Sequence, residues 1–93
     1  MLARDSLAAV LRVVRQTRGL KAEDFSASID PTHINNLENG KVSVTLETLQ
    51  SVSAILEIRA ISLLVLAASV HEKVSPTELL AEVKRELHDF STP

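Results

Sequence analysis

The sequence predicts an all-α fold, and three observations carry that expectation. Leu, Ala, Val, Glu and Ser dominate a chain of 93 residues that holds 2 Gly, 3 Pro, no Cys and 2% aromatics. A β-sandwich or small barrel needs more β-branched, aromatic and turn residues than this. Apolar residues recur at three- and four-residue spacing in successive windows. Those windows are bounded by helix start and stop signals.

Taken in order, the windows predict six helices. Leu7, Val10, Leu11 and Val14 share one face of a first helix over about Ala3 to Arg18. Arg12 and Arg15 lie mostly off that stripe, and Arg12 reads as solvated. Gly19 stands where a left-handed C-terminal cap belongs. A brief second helix is expected at about Lys21 to Ser28, with Glu23 and Asp24 in its first turn, where the helix dipole favours them. Asp30-Pro31 then pairs an N-cap with a proline whose missing N–H is harmless at the first helical position. A third helix follows from Pro31 through Ile34 and Leu37 to Asn39, and Gly40 ends it. Two short helices joined by a tight turn have the outline of a helix-turn-helix.

Thr45 is the N-cap of a fourth helix striped by Leu46, Leu49, Val52, Ser53 and Leu56. The fifth, Arg59 to Ser69, is apolar nearly all round, a pattern that predicts burial on most sides. Ser75-Pro76-Thr77-Glu78 combines N-cap, proline and capping-box glutamate at the start of a sixth helix, whose apolar residues are Leu79, Leu80, Val83, Leu87 and Phe90.

Composition and charge exclude several functions. Without cysteine there is no disulfide framework, thiolate metal site or cysteine nucleophile. His71 and His88 have no ligand partners at metal-binding spacing, so no metal is expected. No glycine-rich phosphate loop or nucleophile elbow is present. The carboxylates Glu78, Glu82, Glu86 and Asp89 read as one solvated helix face, so the chain is expected to be neither an enzyme nor dependent on a cofactor. The longest apolar run, Ala60 to Val70, is short of the roughly 20 residues that span a bilayer. Met1 to Asp5 does not begin a secretory signal. The expectation is a cytoplasmic protein with no membrane partner. The net charge is −2, but it is unevenly spread. Residues 1–43 carry six basic and five acidic groups, and the remainder four basic and seven acidic. An anionic partner is therefore expected to meet the first half.

Leu11, Arg15, Arg18-Gly19-Leu20, Glu23, Phe25 and Ile34-Asn35-Asn36-Leu37-Glu38-Asn39-Gly40-Lys41 form one pattern. Thr45-Leu46-Glu47-Thr48-Leu49, Ala54-Ile55-Leu56-Glu57-Ile58 and Leu63-Leu64 continue it. The pattern resembles the Cro/CI-type, or XRE, helix-turn-helix family of phage and bacterial repressors over about two thirds of the chain. The resemblance implies a five-helix lambda-repressor-like DNA-binding domain over residues 3–69, with the amphipathic helix at 75–90 added to it within a single domain, 1–93. It also implies a structural ion pair between Arg15 and Glu38. Three departures stand out. Phe25 to Ile34 is two residues shorter than the family's usual interval, so the second helix must be shorter or the turn tighter. Ala22 stands where relatives carry a phosphate-binding Gln, and Pro31 where they often carry a base-reading side chain.

On this alignment the third helix presents Thr32, His33, Asn35, Asn36 and Asn39 to double-stranded DNA. Asn can pair with adenine N6 and N7, and Thr with several base edges. Lys21, Lys41 and the helix N-terminus are the expected phosphate holders. Leu64, Val65, Leu80, Val83 and Leu87 are the candidate interface of a homodimer, which would read two half-sites of a palindromic operator. A transcriptional regulator is the leading expectation. Its rivals are a protein-interaction module that has kept the helix-turn-helix fold, and an antitoxin-like protein with a second, protein partner on the sixth helix.

Overall fold

The structure, a computed structural model, describes residues 4–91, the side chain of Arg4 excepted. The expected start at Ala3 lies outside the described residues. All regular structure among the described residues is helical. It comprises α1 (Arg4–Thr17), a single 3-10 turn (Ala22–Phe25), α2 (Pro31–Glu38), α3 (Leu46–Leu56), α4 (Ala60–Glu72) and α5 (Pro76–Ser91).

The second expected helix, Lys21 to Ser28, shrinks to that 3-10 turn. The N–H groups of Ser28 and Ile29 both turn back to the Phe25 carbonyl, at 2.9 and 2.8 Å. The chain is thereby delivered to Asp30 in the space a longer turn would need. Both the helix and the turn have shortened, and Ser26-Ala27-Ser28 offers little helix propensity to resist. Phe25 and Ile29 still face the core, as fully and partly buried side chains.

One core serves the whole domain. Leu11 of α1, Phe25, Ile34 and Leu37 of α2, Leu49, Val52 and Leu56 of α3, and Leu63 and Ala67 of α4 are buried together. Each large side chain there contributes roughly 1.5–3 kcal/mol from burial. α4 is the central strut, packed by α1, α3 and α5. It bends away from α3 by 105°. The expected burial holds for most of its length, with two apolar exceptions. Leu63 and Ala67 are fully enclosed and Leu64, Val65 and Leu66 partly buried, but Ile61 is 61% exposed and Val70 56%, because α1, α3 and α5 leave part of its circumference open. Among the described residues no single helix is long and apolar enough to cross a membrane.

Four helices end on the same pair of backbone bonds, a Schellman cap. After α1, Leu20 N–H reaches Arg15 O at 3.1 Å and Gly19 N–H reaches Gln16 O at 3.0 Å. After α2, Lys41 N–H reaches Asn36 O at 3.0 Å and Gly40 N–H reaches Leu37 O at 3.2 Å. The left-handed position falls on Gly19 and Gly40, but after α3 and α4 it falls on Glu57 (φ 57°) and Lys73 (φ 58°).

α5 starts on Ser75, whose Oγ accepts the Glu78 N–H at 3.1 Å, and only Leu79 of α5 is buried. The molecule measures 44 × 28 × 23 Å, with a radius of gyration of 14.2 Å. A compact domain of this length would have about 12 Å, and α5 accounts for the elongation by leaning on α4 with one end.

Candidate nucleic-acid interface

α2 is short but fixed at both ends. Asp30 Oδ1 accepts the Thr32 N–H at 2.8 Å, and Pro31 occupies the first helical position. Ile34, Leu37 and Glu38 form its buried face. The helical repeat then places Thr32, Asn36 and Asn39 opposite, with His33 and Asn35 to either side. Thr32, His33, Asn35 and Asn39 are exposed and Asn36 is half-buried. No side-chain hydrogen bond ties Asn35 or Asn36 to another described residue. Lys41 is exposed just beyond the Gly40 cap, and Lys21 is exposed at the start of the 3-10 turn, its backbone N–H held by Asp24 Oδ2 at 2.7 Å.

The two ends of α2 differ in charge. At its start, His33 shares an open groove with Ser28, Asp30, Glu47 and Thr48. The Asp30 carboxylate already occupies the helix N-terminus, so phosphate holding by that terminus, expected from the sequence, is opposed by a fixed negative charge. At its far end stand Lys41 and Arg12. The cationic end is therefore the C-terminal one.

Glu38, though buried, is fully engaged. Arg15 grips it with two bonds, Nε to Oε2 at 2.6 Å and Nη2 to Oε1 at 2.8 Å. The third guanidinium nitrogen, Nη1, donates to the Leu20 carbonyl at 2.9 Å. The side chains of Arg15 and Glu38 are 16% and 5% exposed, so this is a nearly dry fork-to-fork pair. It sews α1, the loop after it and the end of α2 together. The hydrogen bond to Glu38 is the main cause that raises the Arg15 pKa above its already basic value, against the opposing effect of burial. The stability linked to that shift is present at neutral pH and, from the arginine side, is lost only as pH rises through the raised value. The pair therefore adds no pH dependence near neutrality from the arginine side.

Arg12, one turn earlier on the same side of α1, stays exposed, as its sequence position suggested, with 45% of its side chain open to solvent, but it also makes contacts. Its Nη2 donates to Asn39 Oδ1 at 2.6 Å, and its Nε lies 3.7 Å from Glu38 Oε1. The sequence signal was available in the three-residue spacing from Arg12 to Arg15 and the adjacency of Glu38 and Asn39. A second unforeseen tie is Arg18, whose Nε donates to Leu56 O at 3.0 Å and Nη2 to Glu57 O at 3.3 Å. It satisfies carbonyls at the end of α3.

A helix-turn-helix family model matches residues 11–63, more than half of the chain. The chain belongs to the XRE-type helix-turn-helix family. The crystal structure of the clp gene regulator ClgR from C. glutamicum superposes with a TM-score of 0.67 over 72% of this chain and 90% of that one, at 29% identity. No curated protein matches the chain. In this helix-turn-helix protein the family match ends within α4, so α5 lies beyond it.

The candidate dimer residues divide between core and surface. Leu64 is half-buried and packs against the core. Val65 and Val83 are half-buried, whereas Leu80 and Leu87 are 51% and 56% exposed. Ile61, Val65, Leu66 and Leu80 line one shallow groove where α4 and α5 meet.

Proposed function

We propose that this chain is a cytoplasmic, sequence-specific DNA-binding transcriptional regulator that lays α2 in the major groove. The observation that carries the reading is the outward face of α2. Five uncharged polar side chains sit on a helix whose opposite face is locked in the core, with Lys41 at the cationic end. Such a face reads base edges without paying to desolvate a charge, while the lysine fixes the helix on the backbone.

The chain is further read as a homodimer on a palindromic operator, through Leu64, Val65, Leu80, Val83 and Leu87. The open apolar side chains of α5 support this, with Leu80 and Leu87 51% and 56% exposed.

Asn36→Ala and Lys41→Ala separate the two roles of α2. Asn36→Ala is expected to cost about 1–3 kcal/mol on the selected operator and little on random duplex. Lys41→Ala is expected to weaken both and to flatten the slope of log K against log salt by about one unit. If both variants bind like the parent, α2 is not the reader. A protein-interaction or antitoxin-like role then takes its place, favoured by the net charge of −2 and the uncovered apolar residues of α5.

A further inference from the structure

The contact between Arg12 and Asn39 joins residues 27 positions apart and has a consequence for recognition. A guanidinium carries donors only, so the Asn39 atom facing it must be the carbonyl oxygen. That fixes the orientation of the amide, which for a free asparagine is open to a flip. Asn39 is also tethered from behind. Its backbone N–H closes onto Asn35 O at 3.0 Å, and the neighbouring Glu38 carboxylate lies 3.7 Å from Arg12 Nε. The Nδ2 group keeps its two hydrogens. Asn35 and Asn36 lack any such tether among the described residues.

Resting on the reading of α2 as the DNA-facing helix, we infer that Arg12 is a positioning residue. It holds Oδ1 of Asn39 so that the amide presents its two Nδ2 hydrogens, and this end of α2 selects acceptor atoms of DNA over the adenine edge. The paired adenine contact needs the same amide oxygen to accept from the N6 amine. Oδ1 still has a second lone pair, but an incoming amine meets the Arg12 cation beside it. Guanine N7 and O6, or a phosphate oxygen, meet attraction from both the amide hydrogens and that cation. A charged donor on Oδ1 also polarises the amide and strengthens its N–H groups. The three asparagines therefore divide the work, with Asn35 and Asn36 able to take adenine and Asn39 an acceptor.

The test is selection from a randomised duplex pool by the full chain, at one stated salt concentration. The proteins are the parent, Asn39→Ala, Arg12→Ala, Arg12→Met and the double variant Arg12→Ala/Asn39→Ala, with Asn36→Ala as control. Arg12→Met keeps the aliphatic stem and removes every donor, so it reports the same shift if the alanine variant folds poorly. If the acceptor is a base, the parent prefers guanine at the position where Asn39→Ala loses its preference, and both Arg12 variants admit adenine there. If it is a phosphate, Asn39→Ala weakens all sequences alike, by about tenfold for one charge-assisted bond, with the salt slope unchanged because Asn is neutral. In either case the double variant binds within about threefold of the weaker single variant. Losses that multiply in the double variant, or a parent that already selects adenine at the Asn39 position, overturn the inference. If Asn36→Ala alters selection and the Arg12 variants do not, only this inference falls. If neither does, the reading of α2 itself has failed.

Discussion

α2 and α5 are opposite solutions to keeping a helix folded. α2 has 8 residues and buries three of them, Ile34, Leu37 and Glu38. It is too short to be stable by its own propensity, so packing and the Glu38 fork hold it. α5 has 16 residues and buries one, Leu79. It rests on its Ser75 N-cap and on local pairs such as Arg85 with Glu82. Its apolar stripe, by contrast, is left largely open, with Phe90 88% exposed. The comparison teaches that α2 presents a rigid polar face because what lies behind it is fastened, whereas α5 presents an apolar face that the other described residues leave largely uncovered.

The sharpest way to break this contrast is a pair of identical truncations. Leu37→Ala removes a side chain that is 1% exposed and is expected to cost about 2–4 kcal/mol. For a domain of this size that lowers Tm by roughly 10 °C or more. Leu87→Ala, at 56% exposure, is expected to move the Tm of dilute protein by less than about 2 °C, since exposed truncations cost little. It is expected instead to weaken self-association in sedimentation at micromolar concentration. A large Tm loss for Leu87→Ala in dilute protein would show that α5 is covered within one chain.

The caps give the next effect. Asp30→Ala is expected to destabilise the whole domain by about 1 kcal/mol, because α2 cannot fray without uncovering the core. Ser75→Ala removes an equivalent cap from α5, and hydrogen exchange is expected to quicken along α5 while the main thermal transition stays in place. Equal global losses from the two would erase the distinction.

The smallest effect concerns the loop from α4 into α5. Lys73 holds φ 58°, a left-handed conformation that costs a side-chain-bearing residue roughly 1–2 kcal/mol. Lys73→Gly relieves it and returns roughly 0.4–1 kcal/mol of unfolded-chain freedom. A net gain of under about 1 kcal/mol is expected in a denaturant melt. The reverse holds for Gly40, at φ +69°, where a Cβ would also fall 2.8 Å from Asp5 Oδ1.

What the sequence by itself determined is the local chemistry of helix ends and faces. Asp30-Pro31, Thr45 and Ser75-Pro76-Thr77-Glu78 start helices because the capping atoms lie within three residues of the N–H groups they satisfy. Gly19 and Gly40 stop them because only glycine enters the left-handed region freely. The family pattern was legible for the same reason, being a run of such signals at fixed spacing. What only the tertiary structure decided depends on distant residues meeting. The second helix collapses to one 3-10 turn because its end must reach Asp30 while Phe25 stays in the core. Two ordinary residues, Glu57 and Lys73, take left-handed caps where the turns into α4 and α5 require them, with no glycine in the sequence to mark the place. The apolar circumference of α4 is covered where α1, α3 and α5 reach it and stays open at Ile61 and Val70. Arg12, still exposed, reaches Asn39 because Arg15 and Glu38, 23 residues apart, have already brought α1 against the end of α2, and it is the packing of the two helices that creates the contact.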